Sequence, residues 1–141
     1  MAPEAKPVGV EDFHHDGRGP ELRQAHWGAR GRDLLAIDYF NPEVKYTPEN
    51  LRHVRFVNGQ VVLVTPEEVV APGTLGDLLV RYSPAAAFDC GRDAWLMSFS
   101  PRHLARCSHY QLMFYDELYD VICERLEFLA GGFASSQERL G

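Results

Sequence analysis

The chain has 141 residues, 45% of them hydrophobic and 24% charged, enough for a core that needs neither metal nor disulfide staples. Its formal charge of −6 argues against nucleic-acid binding by phosphate neutralisation, which requires a basic stripe. Cys90, Cys107 and Cys123 are odd in number and widely spaced, and the start lacks the apolar run of a secretory leader. The expectation is a cytoplasmic chain with free thiols and no membrane association.

Residues 1–32 hold five of the twelve glycines and three of the nine prolines, with few aliphatics. They read as an irregular, partly disordered N-terminal arm before one α+β domain over 33–133, with a frayed tail over 134–141. Trp27 interrupts the arm, and a lone Trp among polar residues predicts docking across the domain. His14, His15 and Asp16 have ligand chemistry, but adjacent histidines in an arm read first as solvated.

Residues 33–40 alternate as a strand, with Leu35, Ile37 and Tyr39 on one face and Asp38 the polar member of the other. Asn41-Pro42 ends it, and Thr47-Pro48-Glu49 has the grammar of one helical turn. Residues 51–64 read as a β-hairpin closed by Asn58-Gly59 in a type I′ turn, which needs positive φ at both positions. That register puts Val54, Phe56, Val61 and Leu63 on a core face and His53 and Arg55 among valines on the other.

Thr65 to Glu68 reads as a capping box opening a short helix broken by Ala71-Pro72-Gly73. A second short helix follows over 74–82, then a loop over 83–92 anchored by Phe88. Residues 94–99 are short and apolar enough for a buried strand. Ser100-Pro101 opens a helical segment to Cys107, with a break near Ser108. Residues 110–129 fit a C-terminal helix: Asp116, Asp120, Glu124 and Glu127 line one face, and Leu112, Tyr115, Tyr119, Ile122, Leu126 and Leu129 the other. Gly131-Gly132 would end it.

Three constellations carry chemistry. Asp38, His53 and Arg55 converge if the first strand lies beside the hairpin, giving a carboxylate, an imidazole and a guanidinium for an anionic or carbonyl-bearing ligand. His103, Cys107 and His109, with Cys90 as a fourth donor, resemble a zinc set only loosely, because C-x-x-C and H-x-x-x-H spacings are missing. Cys90 sits before Gly91-Arg92, yet Asp89 and Asp93 would raise its pKa and oppose a nucleophilic thiolate. Tyr110 and Tyr115 belong to an aromatic, acidic stretch suited to meeting a partner. Neither a P-loop nor a G-x-G-x-x-G motif occurs in a nucleotide-binding setting.

The fold expected is thus α+β: a small, mainly antiparallel sheet built around the 51–64 hairpin, packed against a C-terminal helix. The favoured function is a binding or protein-interaction module using His53, Arg55, Tyr110 and Tyr115, with self-association or a protein partner and room for a small-molecule ligand. The alternative is a small cofactor-independent enzyme of lyase, isomerase or hydrolase type, its catalytic candidates His53, Asp38 and Arg55. No cofactor and no metal are expected.

Overall fold

Strand β3 (Leu35–Phe40) forms where the alternation predicts it, and all six of its residues are buried, so both of its faces are covered. In this computed structural model, which describes residues 4–28, 33–70 and 74–134, β3 is the second strand of an antiparallel sheet. That sheet has the order β2-β3-β4-β9, with β2 at Glu21–Trp27, β4 at Arg52–Val57 and β9 at Arg125–Ala130. A second antiparallel sheet has the order β1-β6-β7-β8-β5. Its strands are β1 (Lys6–Pro7), β5 (Val61–Pro66), β6 (Ala87–Asp89), β7 (Ser108–Met113) and β8 (Glu117–Cys123). The class is α+β-like, rich in sheet, with two short α-helices among the described residues: α1 (Thr74–Arg81) and α2 (Ala94–Met97). No helix among them is long and apolar enough to cross a membrane.

One core joins the sheets. Leu35, Ile37, Tyr39, Val54 and Phe56 come from the four-stranded sheet, and Tyr110, Leu112, Tyr119, Val121 and Cys123 from the five-stranded one. At its centre is Phe13, fully buried, its ring 5.1 Å from those of both Tyr39 and Phe114 in edge-on contact. The segment expected to be an arm therefore supplies a core side chain and β1, and it supplies β2 as an edge strand. Asp12 fixes it: its carbonyl accepts from the Tyr39 hydroxyl at 2.7 Å and the Asn41 amide at 3.0 Å, and its carboxylate pairs with Arg52 at 2.6 Å. Trp27 is 55% exposed and lies at the end of β2 rather than docked across the fold.

The 51–64 hairpin is replaced by a corner. Asn58 has φ of 55°, as a type I′ turn needs, but the φ of Gly59 is outside the left-handed region. The chain leaves β4 in one sheet and enters β5 in the other, where β5 pairs with β8. The return crossing, β8 to β9, lies at the same corner, tied by Gln60 N–H to Ile122 O at 2.8 Å and Glu124 N–H to Val57 O at 2.9 Å. Val54 and Phe56 do face the core, but on β5 the inward residues are Val62 and Val64, and Leu63 is 47% exposed.

The expected C-terminal helix is instead β7, β8 and β9. Leu118 to Cys123 are buried without interruption because the five-stranded sheet is covered on both faces, which removes the period of two from the sequence. The expected strand at 94–99 is α2, opened by Asp93, whose carboxylate accepts from the Leu96 amide at 3.1 Å. Residues 101–106 form turns rather than a helix, and the 83–92 loop contains β6 with Phe88 fully buried. Thr65 makes no capping box, since β5 runs on to Pro66 and the turn at Glu67–Val69 has no side-chain cap. The expected break at 71–73 and, apart from Ala134, the tail over 134–141 lie outside the described residues.

Two apolar clusters cover the outer face of the five-stranded sheet. Leu75 and Leu78 of α1 pack on Phe88, Met113 and Leu118, while Leu96 of α2 packs with Leu104, Cys107 and Ile122. Between these clusters the same face carries a polar row.

Candidate functional site

The β3–β4 register sets Asp38 opposite His53 and Ala36 opposite Arg55, so Asp38, His53 and Arg55 share the outer face of the four-stranded sheet. Each is already engaged. Asp38 accepts from His26 Nε2 at 3.0 Å and from the Phe133 amide at 2.8 Å. His53 has 0% exposure and donates Nδ1–H to the Gly131 carbonyl at 2.8 Å, and its Nε2 has no partner among the described residues. Phe133 lies over both imidazoles, 5.2 Å from His26 and 5.8 Å from His53 between ring centroids. Arg55 pairs with buried Asp33 at 2.6 Å and with Glu127 at 2.8 Å. A ligand at this face would have to displace Phe133 or break both ion pairs. His26 was missed from sequence because it lies in the stretch read as an arm.

The polar row on the other sheet is centred on His109. Its Nδ1 lies 2.7 Å from Asp93 Oδ2 and its Nε2 lies 2.6 Å from Asp120 Oδ1. Burial pulls this imidazole's pKa down, but the hydrogen bonds to Asp120 and Asp93 outweigh it, so the net shift is upward. Trp95 of α2 packs edge-on, 4.6 Å from the His109 ring. Cys90 Sγ lies 3.6 Å from Gln111 Oε1, and Gln111 is paired with Asp120 across β7 and β8. Cys90 Sγ, an Asp93 carboxylate oxygen and a His109 ring nitrogen all lie within 4.8 Å of one another.

This arrangement keeps Cys90 a thiol. Burial first, then the charges of Asp93, Asp120 and Asp89, push its pKa up to about 12. Arg92, the one cation beside it in sequence, donates instead to the carbonyls of Leu104 and Cys107, the latter at 3.1 Å. Of the zinc-like set read from sequence, the structure brings Cys90 and His109 together. Cys107 is buried in the apolar cluster under α2, and His103 is exposed. Asp93 and Asp120 were not legible as partners, because they reach His109 from a helix cap and from a neighbouring strand.

Tyr110 is buried in the core, its pKa pushed up to about 12, chiefly by burial. Tyr115 is 40% exposed at the β7–β8 turn, and its backbone amide donates to the Pro20 carbonyl at 2.9 Å. It borders a cleft of about 650 Å³ walled by His15 to Gly19, by Leu79 and Val80 of α1, and by Met113. Val80 on this rim is 81% exposed. The Arg18 guanidinium lies over the Tyr115 ring, 4.3 Å from its centroid. A second cleft, about 330 Å³, lies beyond that pair against Leu22, Phe114 and Glu117. Gly19 is required at this wall, because a Cβ there would run into the Met113 carbonyl. His15 serves the wall as well, with Nε2 donating to the Leu79 carbonyl at 3.1 Å and Nδ1 accepting from the Gly17 amide at 3.0 Å.

Comparisons with protein-family models, with curated proteins and with solved structures return no match.

Proposed function

We propose that the chain is a binding module whose ligand, a small molecule or a short peptide segment with an apolar body and a flat or polar end, sits in the cleft between residues 15–19 and α1. The observation that carries this reading is the cleft itself. Its volume of about 650 Å³ falls in the range of ligand sites. Leu79, Val80 and Met113 supply apolar surface, and Tyr115 with Arg18 offers a face for stacking. Asp16, Glu67 and Arg18 stand around it as polar groups that would orient a ligand.

The enzyme alternative depends on Asp38, His53 and Arg55, and here the support is weaker. The clefts bordered by Arg18 and Tyr115 do not reach those side chains, which are held by Phe133, Gly131, Asp33 and Glu127. In the main cleft both ring nitrogens of His15 already bond the backbone, so its imidazole is engaged there as well.

The test is a fragment screen followed by amide chemical shifts of the full chain. Hits should move the amides of Gly17, Gly19, Gly76 and Tyr115 together, and Tyr115→Ala should weaken them at least several-fold. Fragments that bind elsewhere, or none that bind at all, would overturn the assignment.

A further inference from the structure

We propose that Cys90, Asp93 and His109 form a binding site for a zinc-type divalent metal ion, with Asp120 orienting the imidazole. The three donors come from separate places: just past β6, the cap of α2 and the start of β7. They converge to within 4.8 Å on the outer face of the five-stranded sheet. The incoming ion displaces the Cys90 thiol proton and the His109 Nδ1 proton to solvent. Thiolate, carboxylate and imidazole are then donors that suit zinc or cobalt better than magnesium or calcium, which take oxygen ligands.

The supporting residues already hold the geometry such a site needs. Asp120 engages His109 Nε2 at 2.6 Å, and Nδ1 faces Asp93. A carboxylate on the far nitrogen of a ligating histidine is the arrangement that fixes its tautomer and orientation at metal centres. Asp93 uses one carboxylate oxygen to cap α2 and turns the other to His109. Trp95 walls one side of the imidazole.

A tetrahedral ion needs donor atoms about 3.3 Å apart, so Asp93 Oδ2 and His109 Nδ1 would separate slightly from their present 2.7 Å contact. The Asp93 side chain, 23% exposed, is the most open of the three and gives the route of entry. Three protein ligands leave a fourth position for water or a ligand from solution.

The test is titration of the chelator-stripped full chain with cobalt(II). One equivalent should bind, with a near-ultraviolet thiolate-to-cobalt band and visible bands of a four-coordinate ion. Cys90→Ser should lose the near-ultraviolet band, and Cys107→Ser should keep it. Asp120→Asn should retain one equivalent and bind about 10–100-fold more weakly. No saturable uptake by folded wild-type protein, or a band that survives Cys90→Ser or requires Cys107, would overturn the proposal. Should Cys90→Ser fail to fold, ring nitrogen shifts of the wild-type histidines on adding zinc decide: movement at His109 supports the site, and movement confined to His14 and His15, or none, overturns it.

Discussion

The Arg18 guanidinium and the Tyr115 ring, 4.3 Å apart, form the partition between two clefts of about 650 and 330 Å³. At an exposed site such a pair contributes about 0.5–1 kcal/mol. Arg18→Ala should therefore lower stability by no more than that, measured by urea denaturation. It should alter ligand affinity in the larger cleft more strongly, because the two volumes then merge. Equal, small effects on both would mean that the partition has no part in binding.

Phe13→Ala should cost about 3–5 kcal/mol, the range for truncating a buried aromatic ring. Phe13 meets Tyr39, Phe114 and Phe128 and has no exposed surface. That loss is comparable to the whole stability of many domains, so the variant should be partly unfolded at room temperature by circular dichroism. A fully folded variant with an unchanged denaturation midpoint would place residues 8–20 outside the cooperative unit.

Arg55→Met removes the partner of Asp33, a carboxylate with 3% side-chain exposure that also accepts from the Asn58 amide at 3.1 Å. Leaving that charge buried should cost about 3 kcal/mol. The double variant Asp33→Asn with Arg55→Met should recover much of the loss. Were the double variant as unstable as Arg55→Met, packing of the arginine stem rather than the charge would be the cause.

His109 makes stability depend on pH in a definite sense. Its folded pKa lies above the ordinary 6.5, so its contribution is fully present below about pH 6.5 and is lost as pH rises through the raised value. In the presence of chelator, wild-type stability should fall as pH rises above about 6.5, and His109→Gln should flatten that slope. A slope that persists unchanged in the variant would assign it to other groups.

All three cysteines are buried free thiols, and burial is the largest cause raising each pKa. A thiol-specific reagent near neutral pH should find essentially none in the native protein and three after denaturation. One thiol reacting quickly in the native state would show a local opening, and peptide mapping would identify which.

The legible parts of this fold are those where one local rule dominates. The alternation in residues 35–40, the single turn at Pro48 and the helix at 74–81 each follow from their own residues. The failures come from contacts between residues distant in sequence. Val121 and Ile122 sit in a strand with both faces covered, so the stretch has no alternation, and its aliphatics at three- and four-residue spacings imitate a helix. Asn58-Gly59 was read by its turn chemistry alone, whereas Asp33 and the β8 pairing draw the chain into the other sheet. The shared face of Asp38, His53 and Arg55 could be anticipated from alternation, but the lid that Phe133 makes over it could not. The Cys90–Asp93–His109–Asp120 cluster was half visible: a cysteine and a histidine stood out, but their acidic partners meet them only through the register of β7 and β8 and the cap of α2.

The two covalent crossings near Asn58 and Glu124 make that corner a spine, since both sheets are bound there by chain as well as by hydrogen bonds. At the far end of β4 a third crossing, residues 8–20 between β1 and β2, is clasped by the Arg52–Asp12 ion pair and by the Asp12 carbonyl, which accepts from Tyr39 and Asn41. Both ends of β4 are thus joined by chain, and the clasped end depends more on side-chain contacts. The stretch that follows the clasp, residues 15–19, is also the wall of the main cleft. A ligand held against that wall would steady the clasp, and amide exchange at Tyr39 and Arg52 should slow when the cleft is filled.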